Sequence, residues 1–134
     1  MFKKIDYRHL SSRQQENYNF QKLAGRLADY GYTCIKLSDD WQGADFIACH
    51  VNGEDFLKVQ LKGRLTIDGK YIGKNIYIGY MADDTAYVYP HDTVMEKIME
   101  QSTVGTSDSW TAKKSYSWPK PPAWALELIE EYEV

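Results

Sequence analysis

The sequence predicts an α/β (α+β) domain in which a central β-sheet is flanked by helices, with elements in the order α-β-β-β-β-β-α-α. Three observations carry this expectation. An apolar stripe at helical spacing opens the chain, alternating runs separated by Asn-Gly and Asp-Asp turns fill its middle, and Pro-Pro starts a second helical stripe near its end. The 134 residues, 43% hydrophobic and 26% charged, suit one domain spanning 1–134 with a core of its own.

The first helix is predicted to open at Ser11, which caps it, with Gln14 three residues on completing a capping box. Phe20, Leu23, Ala24 and Leu27 then share one face, and Gly31 ends the run. Thr33, Ile35 and Leu37 alternate as a short strand, and Ser38 to Gly43 reads as a loop. A hairpin turning at Asn52-Gly53 follows. Asp68-Gly69-Lys70 is a turn, and Asn75–Met81 and Ala86–Tyr89 are strands around Asp83-Asp84. Thr93-Val94-Met95-Glu96 reads as the capping box of a short helix reaching about Gln101. Residues 102–120 read as a long surface loop, whose Trp110, Tyr116 and Trp118 are expected to pack onto the body rather than stack on bases. A terminal helix over 121–134 places Ala125, Leu128, Ile129 and Tyr132 on one face. His91-Asp92 is expected to mark a strand exit and helix cap rather than a catalytic dyad.

Cys34 and Cys49 lack the spacing of a disulfide framework or a zinc site, and His50 beside Cys49 would point to the opposite face of a strand. No apolar run reaches membrane-spanning length and MFKKIDYRHL has no secretory h-region, so a cytoplasmic protein without membrane contact is expected. The net charge of −3 speaks against nucleic acid as a partner, but its distribution does not. Lys58, Lys62, Arg64, Lys70 and Lys74 lie in a stretch whose only acid is Asp68, a basic strip compatible with phosphate contacts.

The hairpin GADFIACHVNGEDFLKVQLKGR has a built-in geometry. If Asn52-Gly53 is the turn, Val51 opposes Glu54, and the pairing carries back to set Asp45 across from Gln60. Lys62 shares that face, whereas Phe46, Ala48, Leu57, Val59 and Leu61 form the opposite, core-like face. A longer turn preserves the faces, but a one-residue slip destroys them. Glu16 belongs to the apolar stripe of the first helix, either as a carboxylate needing a partner or at the end where the stripe runs out to solvent.

These residues resemble the PD-(D/E)XK nuclease superfamily. A helix bearing Glu16, a strand, Gly43-Ala44-Asp45, a turn and Gln60-x-Lys62 are similar to the D-QxK form of Mrr-like restriction endonucleases. The resemblance covers about the first half of the chain, and Ala44 stands where the family's name has proline. It implies a restriction-endonuclease-like mixed sheet and metal-dependent phosphodiester hydrolysis. It also implies Asp45 and Gln60 as ligands of Mg²⁺ (Mn²⁺ substituting), the Leu61 carbonyl as a further ligand, Lys62 as catalytic lysine and Glu16 as accessory. Hard oxygen donors suit this ion, and an amide oxygen can replace a carboxylate with the loss of one charge.

The function expected is a DNA endonuclease, with DNA over Lys58, Arg64, Lys70 and Lys74 and a homodimer or partner protein serving the second strand. A catalytically inactive module of the same fold, binding nucleic acid or protein, is the alternative. A third reading makes Asp45 and Lys62 a cross-strand ion pair in a structural protein.

Overall fold

The computed structural model describes all 134 residues. Helix α1 (Ser12–Ala28) opens as predicted: the Ser11 hydroxyl accepts from the Gln14 N–H at 3.2 Å while Ser11 N–H donates to the Gln14 side chain at 2.8 Å. Strands β1 (Tyr32–Trp41), β2 (Ala44–His50), β3 (Phe56–Lys62), β5 (Ile76–Ala82) and β6 (Thr85–Pro90) form one sheet in the order β1-β2-β3-β5-β6. The β3–β5 pair is parallel and the others are antiparallel, so the sheet is mixed. A parallel pair needs a crossover. Here residues 63–75 supply it with strand β4 (Leu65–Asp68) and a 3-10 turn, Gly69–Tyr71.

The sheet is covered on both sides. Leu23 and Leu27 of α1 pack on Phe46, Ala48, Val59, Ala86 and Val88. Gly79 permits that approach, since a Cβ there would lie 2.5 Å from a Leu23 methyl carbon. The opposite face, with Ile76, Ile78 and Tyr89, packs on Val94 and Ile98 of α2 (His91–Gln101) and on Ala125 and Ile129 of α4 (Ala123–Ile129). No helix is long and apolar enough to cross a membrane.

Several boundaries differ from the expectation, each for a tertiary reason. The loop expected at 38–43 is mostly strand: β1 runs through an irregularity to Trp41, which pairs with Ala44. Polar residues are tolerated there because β1 is a sheet edge. Gln42 (φ 55°) and Gly43 (φ 88°) make the two-residue turn, the positive φ pair of a type I′ hairpin.

In the next hairpin the register is as predicted, Phe46 opposite Val59 through Cys49 opposite Phe56. Its turn is longer, however. His50 N–H donates to the Asp55 carbonyl, while Val51 N–H turns away to the Gly31 carbonyl, so Val51 and Glu54 do not pair. The Asn52 side chain accepts from the Glu54 and Asp55 N–H groups and closes the loop.

Helix α2 starts at His91 with Pro90 as its N-cap, not at a Thr93 capping box, because the His91 side chain is drawn fully into the core. The long loop expected over 102–120 is structured. It holds a 3-10 turn at Val104–Thr106, helix α3 (Asp108–Lys113) capped by Ser107, and strand β7 (Ser115–Trp118) paired with β4 in a second sheet. Val104 and Trp110 bury their side chains, which anchors a segment too short-period to read from sequence. The terminal helix over 121–134 is also shorter. It ends at Ile129, and the tail lies along β6, where Val134 N–H donates to the Ala86 carbonyl.

Candidate active site

The Gln42-Gly43 turn delivers Asp45 to the start of β2, facing the far end of β3. The regular ladder stops at Phe46–Val59, and the Asp45 carboxylate itself continues the connection by accepting from the Leu61 N–H at 2.8 Å. The structure records one such bond to Asp45, through one carboxylate oxygen. Burial raises the Asp45 pKa above the ordinary carboxylate value; the Leu61 bond opposes that rise, the charges of Glu16 and Asp40 add to it, and Lys62 counters it.

Gln60 pairs in register with Ile78 and Lys62 with Tyr80, which turns both side chains toward the face covered by α2 and α4. The Gln60 amide oxygen is buried without a hydrogen-bond partner. A buried amide group left unpaired costs on the order of 1–3 kcal/mol. Native structures keep few such groups, so this one asks for a partner. Lys62 is half-buried with its ammonium 5.6 Å from the centre of the Tyr71 ring. Its pKa is lowered, first by burial and then by the like charge of Lys70, against Asp68 and Asp45.

Glu16 lies on α1, where the apolar stripe runs out. It is exposed and, with Leu61, Lys62 and Gly63, lines a groove of about 800 Å³ that also carries Tyr7, Tyr18, Asn19 and Asp84. The structure therefore brings Asp45, Gln60 and Lys62 to one end of the sheet and leaves Glu16 at its margin, felt by Asp45 through charge. No three His, Cys, Asp or Glu side chains gather as a metal cluster. A cation here would rest on the Asp45 carboxylate, the unpartnered Gln60 oxygen and further oxygens from carbonyl, water or phosphate, a donor set that suits a hard ion such as Mg²⁺. Leu61 is seen to contribute its N–H to Asp45.

The chain's ion pairs are Arg8–Asp6 and Lys97–Glu131. Asp45 and Lys62 form none, which overturns the cross-strand ion pair. Of the basic strip, Arg64, Lys70 and Lys74 are exposed, and Lys58 is half-buried with its ammonium 5.9 Å from the Trp41 ring centre. The aromatics of 110–118 pack inward as expected: Trp110 is buried, and Trp118 meets Tyr116 and Trp124.

Sequence reasoning missed two neighbours. Asp40 accepts from Gly43 N–H at 2.8 Å, which shapes the turn before Asp45 and adds to that residue's negative surroundings. Tyr71, only 2% exposed, lies against Gly43 and under two lysines, and burial together with Asp68, Asp45 and Asp40 raises its phenol pKa. No periodicity or motif marks Tyr71.

No protein-family model matches the chain and no curated protein matches it. Among solved structures, the chain is similar to a bacterial homing endonuclease, I-Ssp6803I, with a TM-score of 0.53 at 16% identity, covering 91% of this chain and 88% of that one. At that identity the likeness is one of architecture, and it identifies the fold: a mixed sheet of five strands flanked by helices, shared with that endonuclease.

Proposed function

We propose that the chain is a metal-dependent nuclease that hydrolyses phosphodiester bonds in DNA, with a PD-(D/E)XK-type site of the D-QxK form. The observation that carries this reading is the buried, unpartnered Gln60 oxygen on the strand end where Leu61 N–H holds the Asp45 carboxylate and Lys62 is half-buried. The endonuclease fold of the neighbour supports it.

Asp45 and Gln60 would hold Mg²⁺, with the Leu61 carbonyl and Glu16 as further oxygens. When bound, the ion supplies charge neutralisation at the scissile phosphate and a more acidic water. The residues of the chain do the rest. Leu61 N–H fixes the orientation of the Asp45 carboxylate. Lys62, taken partly out of water, presents a cation whose attraction to developing phosphorane charge is stronger than it would be at the surface. Its lowered pKa also brings it closer to exchanging a proton at working pH. Lys58, Arg64, Lys70 and Lys74 would hold the DNA backbone without reading sequence. Cutting both strands of a duplex calls for a second copy or a partner protein.

Cleavage of supercoiled and linear DNA with Mg²⁺ or Mn²⁺, beside Asp45→Ala and Lys62→Ala, tests the proposal. Cutting is expected only with metal, and each variant should lose on the order of 10²-fold or more. A wild type that shifts DNA with a salt-dependent affinity but never cuts it would make the chain a binding module of the same fold.

A further inference from the structure

Tyr71 occupies an unusual junction. Its ring centre lies 5.6 Å from the Lys62 ammonium and 5.2 Å from that of Lys70. The ring also presses on the turn before Asp45, where a Cβ on Gly43 would come within 3.2 Å of it. The ring also meets His91, with ring centres 5.5 Å apart at 79°.

The segment carrying Tyr71 is pinned at both ends by one pair of side chains. Asp68 N–H donates to His91 Nε2 at 2.9 Å, and Gly73 N–H donates to Asp92 Oδ2 at 2.9 Å. The other Asp92 oxygen meets His91 Nδ1 at 2.8 Å. Because Nε2 accepts, Nδ1 carries the proton and donates to Asp92, so the ring's tautomer and orientation are set. Gly69 N–H adds a bond to the Lys114 carbonyl.

We propose, building on the nuclease reading above, that Tyr71 is a positioning residue: held by His91 and Asp92, it keeps the Lys62 and Lys70 ammoniums together at the Asp45 end of the sheet. A free lysine samples many rotamers, and two neighbouring lysines repel each other. The negative face of an aromatic ring attracts both and offsets that repulsion. The result is a two-point cation contact for one phosphate, with Lys62 already in place before substrate arrives.

The test uses the full chain and two readouts. Protons on the ε-carbons of Lys62 and Lys70, assigned by their loss in Lys62→Ala and Lys70→Ala, should be shifted upfield by the Tyr71 ring current. The shift should persist in Tyr71→Phe and vanish in Tyr71→Leu. In DNA cleavage, kcat should fall on the order of a hundredfold in Tyr71→Leu, while Tyr71→Phe stays within about twofold of wild type. Unshifted Lys62 protons in the wild type would overturn the proposal, as would wild-type cleavage by Tyr71→Leu. The wild-type spectrum decides the matter even where Tyr71→Leu does not fold. If the wild type never cuts DNA, the nuclease reading falls, whereas the ring-current shift still judges the hold of Tyr71 on its lysines.

Discussion

The protein buries polar side chains in two places and treats them in opposite ways. At the start of α2, His91 is fully enclosed and both ring nitrogens are engaged, while the Asp92 carboxylate is bonded through both oxygens. At the end of β3, the Gln60 oxygen has no partner, Asp45 is held above its ordinary pKa and Lys62 below its own. The first arrangement is complete as folded and belongs to the scaffold. The second costs stability as it stands, and a ligand that completed the bonds would withdraw that cost. Strained, incompletely bonded groups of this kind mark a candidate for binding or catalysis.

Removing His91 should have the largest effect on stability. His91→Ala leaves the part-buried Asp68 N–H without a partner and empties a fully buried ring site, and should cost about 1–3 kcal/mol. Urea denaturation measures it, and an unchanged midpoint would mean that the His91 pair does not hold the scaffold. At the other pole, Gln60→Leu removes the orphaned oxygen while roughly keeping volume. It should stabilise the metal-free protein by about 1 kcal/mol, and Mg²⁺ should no longer raise its melting temperature. Destabilisation by Gln60→Leu would show that the amide already has the bonds it needs, and the contrast between the two regions would collapse.

The smallest and sharpest effect concerns charge. Because the folded-state pKa of Asp45 lies above its unfolded value, its contribution to stability is fully present below the unfolded pKa and is lost as pH rises through the folded one. Asp45→Asn should therefore be more stable than the metal-free wild type near neutral pH, with the difference shrinking as pH falls. Melting temperatures of both proteins from pH 4 to 8 with EDTA would check this, and a gap that widens toward acid would reverse the sign and refute it. With Mg²⁺ present, the wild type should recover its deficit at neutral pH and lose that gain in acid, starting above the usual aspartate range near 4.

Much of this site could be read from single residues in order. The Ser11–Gln14 capping box, the Leu23–Leu27 stripe and the β2–β3 register all appear as expected, and they bring Asp45, Gln60 and Lys62 to one end of the sheet. They were legible because each depends on a local rule: a cap spans three residues, a helix face repeats every three to four, and strand side chains alternate strictly. The lengths of elements were less so. The β1 strand outran its apolar residues because a sheet edge accepts Ser38, Asp39 and Asp40. The 102–120 segment gained structure because β4 offered it a partner and the core had room for Val104 and Trp110.

The sequence by itself determined the first helix, the β2–β3 register and the placing of Gln60 and Lys62 on one face of β3. Only the tertiary structure decided that Gln60 would be left without a partner, that Tyr71 would lie beneath Lys62 and Lys70, and that His91 would tie Asp68 to Asp92. The division has a physical reason. Register and capping follow from neighbours a few residues apart along one or two strands, whereas desolvation and ring contacts depend on which distant segment closes over a site, and the residues of that segment carry no periodic sign of where they will land.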